Sequence, residues 1–308
     1  MDRLWFAHRV SLLSSTRAWL LVAIAVVGIS SSAPVTAATA APILAVAFWR
    51  NLVGAAVSGG WVGARERGGP AALSVRARRL AALAGVLLAV HFVTWFSGLR
   101  LTSVTAATAL VCSTPIWTVG YDLLRRVPVP RSLLFGVLLA MLGVLAITGV
   151  DAARSGDALL GDVLSLVGAM AAAGYVVLGD RVMRTTSTAV YTLFAYGVCA
   201  AVLLPICLLT GTQLAGFAQR TWIELAVVTI GAQLLGHTLI NVALPSVGVT
   251  PISLAILLEV PGASLVAWAW LGQVPPLSLL PGTLLMLAGL VIVVRSRRPA
   301  SPPDTLAP

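Results

Sequence analysis

The stretches SLLFGVLLAMLG (Ser132–Gly143) and SLLPGTLLMLAG (Ser278–Gly289) carry the same serine, leucines and glycines at seven positions, 146 residues apart. Carried towards the N-terminus without a gap, the same offset places Pro130 on Pro276, Pro115 on Pro261, His91 on His237, Gly85 on Gly231, Phe48 on Phe194 and Gly28 on Gly174. Leucine matches alone are cheap in an apolar chain. Histidine, proline and glycine matched in one unbroken register are not, so the chain is read as a duplication of one unit.

Composition says where that unit lives. Of 308 residues, 59% are hydrophobic and 10% charged, with a mean hydropathy of +0.99; soluble chains carry roughly a quarter charged residues. Apolar runs long enough to span a hydrocarbon core, about 20 residues each, recur from the N-terminal region to Arg295. The net charge of +10 comes from Arg alone, since the chain contains no Lys. These arginines sit in short gaps between apolar runs and not on a basic face with stacking aromatics, which excludes a nucleic-acid reader. Cys112, Cys199 and Cys207 each lie inside an apolar run without CxxC spacing, so they read as small hydrophobes, with neither a disulfide framework nor a metal site. Arg17 followed by the apolar run Ala18–Ile29 imitates a secretory signal. Because its partner recurs in the second unit, the segment is expected to be retained as a helix.

Breaks at Arg, Pro and Gly clusters place helices near 18–34, 40–63, 79–99, 102–124 and 131–150, then 158–179, 188–210, 222–243, 250–272 and 277–294. The expected fold is an all-α polytopic membrane protein of ten transmembrane helices. The first five-helix repeat covers 18–150 and the second 158–294, flanked by an N-terminal segment 1–17 and a tail 295–308. Five helices is an odd number, so the second repeat enters the membrane from the opposite side and the repeats are inverted. With both ends of the chain cytoplasmic in an inner membrane, the Arg65–Arg79 cluster, Arg125, Arg126, Arg131, Arg181 and Arg184 all fall inside, as the positive-inside rule asks. Only Arg100, Arg154 and Arg220 fall outside.

Inverted repeats are an architecture of secondary carriers, which bind solute near the midplane between repeats. Strongly polar residues within spans are costly there and mark function or pairing. Arg50 lies about eight residues, roughly 12 Å, into the second helix. It is either a structural charge satisfied nearby or a clamp for an anionic solute group, and Glu259 in the ninth helix lies at comparable depth as a partner. His91 and His237 are equivalent positions in helices three and eight; they read as structural hydrogen bonders or as solute and proton contacts, since imidazole titrates near neutral pH. Gln233, His237 and Asn241 follow at four-residue spacing, which stacks them on one helical face. Pro115 and Pro261 interrupt helices four and nine, freeing the carbonyls of Val111 and Leu257. Helices five and ten carry no ionisable residue in their apolar runs and are expected to face lipid.

The stretch from His91 through Trp95, Leu99 and Thr102-Ser103-Val104 to Thr114-Pro115-Ile116-Trp117, and Leu258-Glu259-Val260-Pro261 followed by Leu271-Gly272, resemble the EamA group of the drug/metabolite transporter superfamily. Phe48 and Arg50 resemble the family's second-helix pattern. One departure is Gln273, where the family often has Glu. The resemblance implies a ten-helix carrier of amino acids, other metabolites or drugs, commonly moving them outward. It places Trp95 beside the histidines among the solute contacts. The expected function is therefore secondary export of a small polar or amphipathic metabolite by alternating access, coupled to protons, without cofactor, metal or nucleotide site. Two other classes are weighed against it: a membrane-embedded enzyme using His91, His237 and Glu259 on a lipid-borne substrate, and a non-transporting scaffold or sensor. An enzyme would change its substrate chemically where a carrier returns it unchanged, and a scaffold would show a partner-binding loop or tail, whereas the loops here are short.

Overall fold

The computed structural model describes residues 13–66, 73–102, 104–148, 156–272, 277 and 279–295. Arg3, Arg9, Ser103, Arg154, Gln273, Pro276, Ser278 and the tail beyond Arg295 lie outside the described residues, as does most of the expected N-terminal segment. In the first half of the chain the elements are α1 (Ser15–Ser30), α2 (Ser32–Ala38), α3 (Ile43–Arg65), α4 (Val75–Leu101), α5 (Val104–Val111), α6 (Thr114–Leu124) and α7 (Arg131–Thr148). The second half contains α8 (Gly156–Met183), α9 (Thr188–Leu209), α10 (Gln219–Val228), a π-helical stretch (Thr229–Thr238), α11 (Leu239–Val247), α12 (Val249–Ile256), α13 (Glu259–Leu271) and α14 (Leu279–Arg295). No strand occurs among the described residues.

Seven helical segments among these residues are long and apolar enough to cross a membrane: Ser15–Ala38, Ile43–Arg65, Val75–Leu101, Gly156–Met183, Thr188–Leu209, Gln219–Val247 and Val249–Trp270. The other three expected spans do not meet that measure. The fourth is divided into α5 and α6, and α7 and α14 contribute shorter apolar helices.

Helices equivalent under the 146-residue offset pack on each other in opposite directions. Between α7 and α14, Gly143 lies against Gly282 and Met286, while Gly289 lies against Gly136 and Ala140. Those contacts exchange into one another under the offset. A Cβ at Gly143 would stand 2.5 Å from the Gly282 oxygen, so the backbone approach requires glycine. The outer faces of the same helices expose Leu138, Leu142, Leu145, Leu280 and Leu284. Between α3 and α9, Gly54 meets the Tyr196 ring, the Ser58 and Thr192 hydroxyls bond at 2.8 Å, and Ser187 donates to Glu66 at 2.6 and 2.8 Å. As the number rises in α3 it falls in α9. The packing of α4 on α8 and of α1 on the π-helical stretch and α11 forms another equivalent pair.

Four interruptions lie inside these helices. Pro34, Pro115 and Pro261 have no N–H for the carbonyl four residues earlier, and a helix breaks before each. At Ser31, between α1 and α2, the Ser31 hydroxyl turns back to the Gly28 carbonyl at 2.8 Å. The Val111 carbonyl, freed by Pro115, accepts the Thr114 hydroxyl at 3.0 Å, and the Leu257 carbonyl, freed by Pro261, accepts the Val260 N–H at 3.1 Å. Pro115 and Pro261 thus sit in the first turns of α6 and α13, where proline is tolerated, and each long helix becomes two. The fourth interruption is the π-helical stretch. Its Gly231 and Gly236, five residues apart, both face α1, with Gly231 and Gly236 against Gly28 and Gly236 against Ile29. Five is the reach of a π-helical hydrogen bond.

Candidate functional site

One guanidinium is buried beside the first of these breaks. Arg50, in the middle of α3, is 0% exposed. Its Nη1 donates to the Ser32 hydroxyl at the start of α2, 2.7 Å away, and its guanidinium carbon lies 4.9 Å from the centroid of the Phe92 ring of α4. Nε and Nη2 have no partner among the described residues. A desolvated cation–π contact is worth about 2 kcal/mol and one charged hydrogen bond about 1.5–3. Against that stand two unsatisfied buried groups at about 1–3 kcal/mol each and the several kcal/mol of taking an ion out of water. The protein alone leaves Arg50 undercompensated.

Glu259 opens α13, just past the α12–α13 break, and is 6% exposed. Its Oε2 lies 3.9 Å from Cys112 Sγ, which also points at the Ile256 carbonyl at 3.7 Å. No ion pair joins Glu259 to Arg50 among the described residues, where ion pairs include Arg184–Asp180 and Arg220–Glu224. The sequence places the two at comparable depth as partners; in the structure no ion pair joins them.

His91 of α4 donates from Nδ1 to the Gly168 carbonyl of α8 at 3.0 Å and stacks on Trp95 one turn later, with ring centroids 5.4 Å apart. His237, in the π-helical stretch, meets the Phe92 ring edge-on at 6.2 Å. Phe92 therefore stands between the two imidazoles and under Arg50, and His91 also packs on it at 5.0 Å. Trp95 is buried with its Nε1 unpartnered. Gln233 is 0% exposed and neither atom of its amide has a partner; its side chain packs beside Gly54, one turn from Arg50 on α3. Asn241 donates to the Tyr175 hydroxyl at 2.6 Å and to the Tyr196 hydroxyl at 3.2 Å. The four-residue series Gln233, His237, Asn241 is split by the π-helical stretch: Gln233 and Asn241 are buried and His237 is half-buried.

Sequence reasoning passed over Ser32, Phe92, Cys112, Tyr175 and Tyr196. Ser32 and Phe92 are ordinary residues in apolar helices, and only the fold brings them to Arg50. Tyr196 carried a signal, since it occupies the position equivalent to Arg50 under the offset. Also unforeseen was a crevice of about 750 Å³ at the end of the molecule where Arg76, Arg125, Arg181 and Arg184 gather with Asp122 and Asp180. None of the seven solute-contact candidates lines it. It stops short of the polar cluster.

The fold is a helical membrane bundle of two equivalent halves with a buried cation, Arg50, inside it. The EamA-like transporter family matches residues 15–149 and 159–295, one match per repeat, and the chain belongs to that family. No curated protein matches it. Among solved structures, one crystal structure superposes with a TM-score of 0.73, covering 92% of this chain and 98% of its own, at 17% identity. That is a likeness of fold.

Proposed function

We propose that this protein is a secondary transporter, an exporter of a small polar or amphipathic metabolite such as an amino acid, working by alternating access in the inner membrane. The observation that carries the reading is Arg50, fully buried with two unpartnered nitrogens, which clamps an anionic group of the solute while Gln233, Trp95 and the two histidines line the remainder of the site. Asn241 holds the tyrosines that wall it, and Glu259 completes its charge. The halves are five-span units of inverted topology, ten spans in all. The antiparallel packing of α7 on α14 and of α3 on α9 supports this, because equivalent helices related by a two-fold axis in the membrane plane run in opposite directions. Breaks in α1–α2, α5–α6 and α12–α13 provide the hinges on which the halves rock. The Arg-lined crevice is the cytoplasmic mouth, and the cluster beneath it is the solute site in a closed state.

The test is transport into proteoliposomes over a broad metabolite panel, under pH gradients and under exchange. Saturable flux of at least one solute is expected, lost in Arg50→Gln at equal insertion. Background flux for the whole panel overturns the reading. Orientation is tested separately by cysteine labelling: Asp157→Cys should react from outside in intact cells and Arg184→Cys only after permeabilisation.

A further inference from the structure

We propose that the arginine-lined crevice and an apolar slot that opens into it form one binding site for an anionic glycerophospholipid, with the phosphate diester on Arg181 and an acyl chain between α6 and α8. The site is separate from the polar cluster around Arg50 and does not depend on what the protein carries.

The slot has a volume of about 320 Å³ and is lined by Trp117 and Tyr121 of α6, by Met170, Gly174 and Val177 of α8, and by Leu87 of α4. Trp117 and Tyr121 stand one turn apart. On α8, Met170, Gly174, Val177 and Arg181 follow at spacings of four, three and four residues, which sets them along one face of the helix. Leu87 packs over Gly174, where a Cβ would come within 2.7 Å of it. From Met170 to Arg181 the helix rises about 16 Å, about half of a hydrocarbon core that is about 30 Å thick. The slot therefore has the reach of one leaflet. Met170 is 51% exposed and Ile116, beside Trp117, is 44% exposed, so it is open to the surrounding hydrocarbon. Among its described lining residues only Arg181 is charged.

Tyr121, Val177 and Arg181 line both the slot and the crevice, so the two cavities meet there. The Arg181 guanidinium carbon lies 5.3 Å from the centroid of the Tyr121 ring, which keeps its charge at the junction. In the crevice, Arg76, Arg125, Arg181 and Arg184 face Asp122 and Asp180, four positive charges against two negative. Arg184 is committed to Asp180, donating from Nε at 3.1 Å and from Nη2 at 2.8 Å to one carboxylate oxygen. Three arginines then stand against Asp122. The first turns of α4, with Arg76 and Ala77, and of α12, with Val249 and Thr250, also line the crevice, and the positive end of a helix favours an anion.

Trp117 supplies a second signal. Its Nε1 is buried without a partner among the described residues, one turn deeper than Tyr121, or about 6 Å. A buried N–H needs an acceptor, and the ester carbonyl of a lipid lies just below its phosphate. A soluble anion would use the crevice and gain nothing from the slot, whereas a zwitterionic lipid would fill the slot and gain little from the excess of positive charge. An anionic phospholipid satisfies both, as basic pockets between helix ends do for lipid head groups.

Dioleoyl phosphatidylglycerol serves as the probe, added to delipidated full-length protein in a neutral detergent, beside phosphatidylethanolamine with the same chains and chain-free glycerophosphoglycerol. Native mass spectrometry counts the lipid retained, and the melting temperature reads stabilisation by binding. One retained phosphatidylglycerol per protein is expected, with phosphatidylethanolamine at least about tenfold weaker and glycerophosphoglycerol without effect at the same concentrations. Arg181→Gln should weaken phosphatidylglycerol about fivefold, and Val177→Trp, which fills the junction and keeps every arginine, should remove the retained lipid. Arg65→Gln is the control, since Arg65 stacks on Trp61 at 5.4 Å but lines neither cavity; it should leave binding unchanged. Wild type alone can overturn the proposal: equal retention of the two lipids removes the recognition of charge, and glycerophosphoglycerol bound as tightly as the lipid makes this a site for soluble anions. Equal losses in Arg65→Gln and Arg181→Gln would mean diffuse attraction and no site. Each of these results leaves the carrier reading to be decided by metabolite flux.

Discussion

The two halves share a scaffold and differ in chemistry. At the offset that aligns their glycines, Arg50 of α3 meets Tyr196 of α9, Trp95 meets Asn241, Phe92 meets Thr238, and Ser113 meets Glu259. Among the solute-contact candidates, only His91 and His237 are kept. The first half thus supplies the cation and the aromatic faces, and the second supplies the carboxylate, the amides and the phenols. The same divergence reaches the backbone. His91 rides on an unbroken α4 and is locked to Gly168 at 3.0 Å; its equivalent sits in the π-helical stretch, where its ring meets Phe92 edge-on. A duplicated fold needs symmetry only where helices pack on their own equivalents, and its solute site is free to become asymmetric.

The sharpest way to break that comparison is at Arg50 and Tyr196. Arg50→Gln should lower transport by about 100-fold or more, the cost of a buried charged contact at about 2–5 kcal/mol, whereas Tyr196→Phe should cost a few-fold, near the 1 kcal/mol of a neutral hydrogen bond. Proteoliposome rates at matched insertion decide it, and equal losses would mean the halves contribute alike. Glu259→Gln joined to Arg50→Gln measures the coupling of the two charges as a double-mutant cycle. A coupling near zero in melting temperature is expected, since no ion pair joins the two.

The symmetric part has its own test. Gly143→Leu and Gly289→Leu each drive a side chain into the backbone of the opposite helix, and each should lower stability by about 1–3 kcal/mol. Gly120→Ala, with open space around it, should stay within about 0.5. Thermal melting in detergent reads all three, and a large difference between the two leucine variants would break the equivalence of α7 and α14.

The smallest effect is expected at the histidines. His91→Gln loses a bond to Gly168 worth about 1 kcal/mol, while His237→Gln should be closer to neutral in stability. Transport against pH then separates structure from function: an unchanged profile in both variants and in their double mutant would leave both histidines as packing residues.

How far the sequence could be read depended on whether a signal was local. Helix existence, the duplication, the proline positions and membrane residence follow from composition and period, which are properties of short windows, and the EamA family match over both repeats agrees with the resemblance carried by His91–Trp117 and Leu258–Gly272. What became of the prolines was less legible. Proline removes a donor whatever the context, but whether the helix bends or ends depends on which neighbour takes the freed carbonyl; here Thr114 and Val260 take it. The π-helical stretch was illegible for the same reason, since it depends on α1 lying against Gly231 and Gly236. Helices five and ten read as lipid-facing because their leucines dominate the pattern, yet the glycines on their other face make the seam between the halves.

From the sequence by itself came a lipid-embedded, duplicated, all-helical chain with Arg50, Glu259 and two equivalent histidines inside its spans, because burying so few charges in so apolar a chain is costly enough to mark each one. Only the tertiary structure decided that Arg50 rests on Ser32 and Phe92 with one edge of its guanidinium free, and that Glu259 forms no ion pair with it. Hydrogen bonds and ring contacts between residues distant in the chain are set by how the broken helices pack, and no spacing along one helix carries that information.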